Sequence, residues 1–117
     1  MKKQTLLILT GEPLNTYYYK KYLALINQKN INVKIWNVLP VLNYKVYKNY
    51  FLNKKIKIYK NVKFKNILNL NHLLKLVKDL PSNFFFLNQS PKIIKSYILE
   101  RYIHFIGGKK IFFRTSG

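Results

Sequence analysis

The chain has 117 residues, enough for about one domain, and 49% of them are apolar, which excludes a chain too polar to collapse. Its 22 Lys+Arg against 3 Asp+Glu give a formal charge of +19, a field that attracts phosphates and anionic headgroups; yet twenty of these residues are Lys and two are Arg, whereas groove-reading proteins lean on Arg. The absence of cysteine excludes a disulfide framework and a thiolate metal site, and no apolar run reaches the roughly 20 residues that span a bilayer.

Residues 5–10 (Thr-Leu-Leu-Ile-Leu-Thr) have the length and richness of a strand buried on both faces. Gly11-Glu12-Pro13 breaks the run, and Asn15 or Thr16 then caps a helix through residues 16–30, with Tyr19, Tyr22, Leu23 and Ile26 on one face and Asn30 as its stop. Residues 31–36 restore a strand pattern, so the segment reads as a βαβ unit. Pro40 closes the second strand, and residues 38–54 show no clean period. Alternation follows: Ile56, Ile58, Val62 and Phe64 interleave with Lys at 55, 57, 63 and 65, the pattern of a half-buried edge.

A strand at 62–67 leads to a helix at about 70–80 carrying Leu70, Leu73, Leu74, Val77 and Leu80, and Pro81-Ser82 turns into a strand at 83–88. Ser90-Pro91 reads as a helix start, with the stripe Ile94, Tyr97, Ile98, Tyr102 and Phe105 as its packing face. Gly107-Gly108 stops that helix, and residues 109–114 form the last strand. Together these elements predict an open, mainly parallel α/β sheet in the order 3-2-1-4-5, with right-handed crossovers and helices on both faces. Its switch point falls between the first and fourth strands, and ligands of such sheets sit outside the strands' carboxyl ends.

That edge is where the candidate residues gather. No G-x-G-x-x-G and no P-loop is present, and Asn37 stands where a dinucleotide fold places the carboxylate that binds a ribose hydroxyl. Glu12 is either a general base or a loop carboxylate beside a helix N-terminus. Gly11, Asn37, Asn88, Gln89, Ser90, Thr115 and Ser116 lie at strand ends, as a rim for a sugar or phosphate or as simple turn caps. Glu100 and His104 share a helix face, but the other histidine, His72, belongs to a different helix, so they read as a surface pair rather than metal ligands. Most aromatic residues fall on inner faces; Tyr17, Tyr18, Tyr44 and Tyr47 are the exceptions able to pack on sugar rings or bases.

Thr5 to Pro13, the stretch Val33-Lys34-Ile35-Trp36-Asn37-Val38-Leu39-Pro40-Val41-Leu42-Asn43, and the order of elements from Val62 to Gly117 resemble the amino-terminal portion of bacterial surface (capsular or O-antigen) polysaccharide biosynthesis proteins related to GT-B glycosyltransferases. Members often carry an acidic residue where this chain has Asn37. The resemblance implies that residues 1–117 form a single Rossmann-like, acceptor-side domain of a truncated, two-domain enzyme, inactive alone. It implies a glycan or lipid-linked acceptor as partner, no cofactor in this chain, and a nucleotide-sugar donor bound by the missing second domain. The expected location is cytoplasmic, because the apolar run behind Met1-Lys2-Lys3 is too short for a signal peptide, with peripheral association at the inner face of an anionic membrane. The rival reading is a small basic module that binds nucleic acid or an anionic membrane surface, although Lys scattered among Asn, Ile, Tyr and Phe also fits an A+T-rich coding sequence.

Overall fold

Five strands pair in parallel in the spatial order β3-β2-β1-β4-β5: β1 (Gln4–Thr10), β2 (Ile31–Asn37), β3 (Lys63–Asn66), β4 (Phe85–Gln89) and β5 (Lys109–Lys110). The computed structural model describes residues 4–11, 16–50, 62–81, 84–107 and 109–110. Among the described residues, six helices join them: α1 (Thr16–Lys21), α2 (Leu23–Ile26), α3 (Leu39–Leu42), α4 (Tyr44–Tyr50), α5 (Leu70–Lys78) and α6 (Ile94–Phe105). The strand order and direction are those the sequence predicts, and the class is a Rossmann-like open α/β sheet. Among the described residues, no helix is long and apolar enough to cross a membrane.

β1 is the centre, and strand alternation divides its side chains between two cores. Leu6 and Ile8 pack with Val33, Ile35 and Leu87 against Tyr22 and Ile26 of the α1–α2 segment. Leu7 and Leu9 pack on the other face with Trp36 and Phe86 against Leu73 and Val77 of α5 and Leu99 and Ile103 of α6. The α1–α2 segment, which leads to β2, and α5, which leads to β4, thus lie on opposite faces, the condition for those two connections to share one hand. At the β3 edge, Lys63 and Lys65 are exposed around a half-buried Phe64, a charged border that discourages further strand pairing. Their neighbour Lys34 is half-buried, and burial first, then the Lys63 and Lys65 charges, lowers its pKa from the ordinary 10.5, while Asp79 opposes the shift.

Several local expectations are corrected. The helix over 16–30 is two pieces that stop at Ile26; the three consecutive tyrosines at 17–19 are weak helix formers, and the chain turns through Gln28, whose carbonyl accepts from Ile31 N–H at 3.3 Å. Residues 38–50 form two short helices, which explains their lack of one period. Pro40 sits in the first turn of α3, where its missing N–H costs no bond, and Asn43 Oδ1 accepts from Val46 N–H at 3.2 Å to start α4. In α5, Leu73 and Val77 are buried as expected, but Leu70 is exposed.

The largest correction concerns α6. Its buried residues are Ser96, Leu99 and Ile103, whereas Ile94, Tyr97, Ile98 and Phe105 of the predicted packing stripe are exposed and Tyr102 is half-buried. The helix carries two apolar faces, and the Ser96 hydroxyl, bonded to Asn88 and Ser90, turns one of them to the sheet. The helix also starts later than Ser90-Pro91 predicts: its N-cap is Ile93, which makes no side-chain capping bond. It ends at Gly107 as expected, with the positive φ of 114° that glycine tolerates. The 55–58 alternation, Glu12, Thr115 and Ser116 lie outside the described residues, as does all of the last predicted strand after Lys110.

Candidate functional site at the carboxyl edge of the sheet

The parallel register aligns the last residues of four strands. Asn66 pairs with Asn37, Asn37 with Thr10, and Thr10 with Gln89, so one polar row crosses the sheet at its carboxyl edge. Alternation puts this row on the α1–α2 face, since Ile8, Ile35 and Leu87, two residues earlier, belong to that core. Sequence reasoning names Asn37 and Gln89 in this row. It misses Thr10 and Asn66, which the same signal, the final residue of each strand, identifies.

Asn37 is fully buried and its amide is engaged at both ends. Its Oδ1 accepts from Leu39 N–H at 3.1 Å, holding the first turn of α3, and its Nδ2 donates to Asn66 Oδ1 at 3.1 Å. The position that a dinucleotide fold gives to a ribose-binding carboxylate is here a structural amide. Asn88 and Ser90 are likewise turned inward, on the opposite face. Asn88 Oδ1 accepts from Ser90 N–H at 3.1 Å and from the Ser90 hydroxyl, Asn88 Nδ2 donates to Ser96 Oγ at 3.2 Å, and the two serine hydroxyls are 2.6 Å apart. All three residues are buried, so this knot ties the end of β4 to α6 and uses these polar groups in holding the helix.

Gly11 follows β1 where Pro91 follows β4, directly at the switch point. A Cβ on Gly11 would overlap Pro91 Cδ, so glycine is the residue that lets the ring close this corner. Beside it lies Gln89, half-buried, whose Oε1 accepts from Lys21 Nζ at 3.3 Å. Lys21 also sits 5.5 Å from the centroid of the Tyr22 ring, so its ammonium is held between an aromatic face and the β4 terminus. Lys21 and Gln89 thus give the edge a cation and an amide next to the switch point. Nothing in the local sequence marks Lys21 for this role, because it meets Gln89 from 68 positions away.

The other sequence candidates separate. Tyr44 is 51% exposed, while Tyr47 is buried in the fold and is not a stacking platform. Glu100 and His104 share α6 and His72 is on α5; among the described residues, no group of three or more His, Cys, Asp or Glu is placed to hold a metal. A feature the sequence does not announce is an apolar groove of about 670 Å³ between α3, α5 and α6, with Tyr44, Leu68, Leu70 and Ile98 on its walls and Asn69 and Lys95 as its polar contributors. It lies on the α5–α6 side, opposite the Lys21–Gln89 pair.

Comparison with family models, with curated proteins and with solved structures finds no match for this chain. The fold therefore defines the class: a Rossmann-like domain whose carboxyl edge is polar, with Pro91 packed on Gly11 at the switch point.

Proposed function

We propose that the carboxyl edge binds a hydroxyl-rich ligand, and that the chain is the acceptor-side domain of a GT-B-like glycosyltransferase of surface-polysaccharide biosynthesis. The observation that carries this reading is the Lys21–Gln89 pair beside the switch point between β1 and β4, where open α/β sheets receive ligands. A sugar hydroxyl both donates and accepts. The glutamine amide answers in both directions and the ammonium adds a charged donor, so the pair suits a glycan better than an apolar ligand. Glu12, next in sequence after Gly11, is the carboxylate to which this reading gives the acceptor's proton. The nucleotide-sugar donor belongs to a second domain in this architecture, so the role read for residues 1–117 is to bind the acceptor.

Titration of the nitrogen-labelled chain with capsular oligosaccharides tests the reading. The oligosaccharides are expected to shift the amides of Gly11, Lys21 and Gln89, and Gln89→Ala to weaken binding by about fivefold or more. Glu12→Gln, which removes a proton acceptor but keeps the shape, should leave affinity within about threefold. Uridine diphosphate-glucose should leave these amides unmoved. A nucleotide sugar that binds this edge while every oligosaccharide fails overturns the assignment. Of the rival readings, contact with an anionic membrane is the one a specific feature favours, and that feature is α6.

A further inference from the structure

α6 has two apolar faces, and the fold uses one. Ser96, Leu99 and Ile103 point to the sheet and are buried. On the opposite side Ile94, Ile98 and Phe105 are 78%, 63% and 86% exposed, with Tyr97 beside them at 51%. With about 3.6 residues per turn, positions 94, 98, 101 and 105 fall on one stripe along the helix. An ordinary surface helix carries polar residues there, as α5 does with Asn71, Lys75 and Lys78 exposed. A helix that is apolar on both sides meets a second surface.

Shape and charge say which surface. The stripe is the outward pole of the helix and continues through Ile98 into the wall of the apolar groove, so it offers a broad apolar surface. Lys92 and Lys95 flank it and Arg101 lies within it, its long side chain able to carry the charge out to the surface, all three exposed, and the one carboxylate of the helix is the half-buried Glu100, with His104 a turn further on. A second copy would bring a formal +19 against +19, and repulsion opposes that pairing. An anionic bilayer offers both things the stripe lacks: an apolar interior for the aliphatic and phenyl groups and a negative surface for the three cations.

We propose that α6 is a membrane-docking helix that lies in the plane of an anionic leaflet, with Ile94, Ile98 and Phe105 among the acyl chains, Tyr97 at headgroup level, and Lys92, Lys95 and Arg101 on the phosphates. The contact is peripheral. Ile98 is shared with the wall of the apolar groove, and Leu68 and Leu70, both exposed there, carry the apolar surface onward toward α3. The Lys21–Gln89 pair lies on the other face of the sheet, so docking leaves it open and the two proposals fail separately.

Cosedimentation of the full chain with vesicles of phosphatidylcholine, with and without phosphatidylglycerol, tests this. The wild-type chain should bind the phosphatidylglycerol vesicles, release them as salt rises, and ignore pure phosphatidylcholine. At about fivefold per basic residue, Lys92→Gln/Lys95→Gln/Arg101→Gln should weaken binding by about two orders of magnitude. Ile94→Ser/Ile98→Ser/Phe105→Ser should keep the wild-type circular dichroism and melting temperature, because these side chains are exposed, and lose about tenfold or more in vesicle affinity. As an independent readout, Phe105→Trp should be quenched by brominated acyl chains, while the buried Trp36 is not. The proposal is overturned if the serine variant binds vesicles as the wild type does, since charge alone would then hold the protein. It is equally overturned if the wild type is a dimer that the serine variant dissolves, or if RNA displaces the vesicles and binding to it ignores the stripe.

Discussion

Gly11 and Pro91 meet face to face across the switch point: a Cβ on Gly11 would lie 3.0 Å from Pro91 Cγ and would overlap Cδ. The contact couples the ends of β1 and β4, the two strands between which the chain's direction of winding reverses. Gly11→Ala should destabilise the fold by about 1–3 kcal/mol through overpacking. Pro91→Ala in the same chain should restore most of that loss, and a double-mutant cycle in urea reads the coupling directly. If the two changes add, the ring and the glycine do not constrain one another.

Asn37 is a buried amide with both ends in use, and its removal exposes the asymmetry of such groups. Asn37→Ala strands the Leu39 N–H and the Asn66 carbonyl oxygen and should cost about 1–3 kcal/mol in denaturant titration. Asn66→Ala should cost less, about 1 kcal/mol, because Asn66 is half-buried and water replaces it. Equal losses from the two would mean that the α3 turn does not depend on Asn37.

The Asn88–Ser90–Ser96 knot sets the rotation of α6. Ser96→Ala removes one hydroxyl bonded to both partners and should cost about 1–3 kcal/mol, with faster amide exchange along α6 than in α5. Uniform exchange across both helices would place the loss in global stability rather than in the seating of α6.

Lys34 gives the protein an alkaline signature. Its folded pKa lies below the 10.5 of an unfolded lysine, first through burial and then through Lys63 and Lys65. Between the two values the unfolded chain holds more protons than the folded one, so stability rises with pH through the window below 10.5. Below the folded value the penalty is fully present. Lys34→Met should therefore raise the melting temperature at pH 7 and flatten the rise with pH measured for the wild type. An unchanged slope would assign the rise to other groups.

The centre of the sheet was readable because β1 and β4 are short apolar runs bounded by Gly, Pro or Asn, and such runs belong to the interior of a parallel sheet, while the alternation of Lys with Phe64 marks β3 as an edge. The seating of α6 was not. Periodicity finds stripes, and this helix has two; the choice falls to Ser96, a polar residue that a hydrophobic pattern passes over. At the edge, strand ends pointed to Asn37, Asn88, Gln89 and Ser90, but their hydrogen-bond partners decide their roles, and those partners come from other elements. Lys21 shows the same limit from the other side: its meeting with Gln89 exists only once α1 lies over β4.

β1 gains its two neighbours far apart in the sequence. Its pairing with β2 is between near neighbours in sequence, but its other edge waits for β4, from Leu6 to the partner Phe85, about two thirds of the chain. Until then the most apolar strand of the protein presents an unpaired ladder of amides and carbonyls, the template on which chains join end to end. Like charge, nearly all of it on Lys, opposes such joining while that edge stands open.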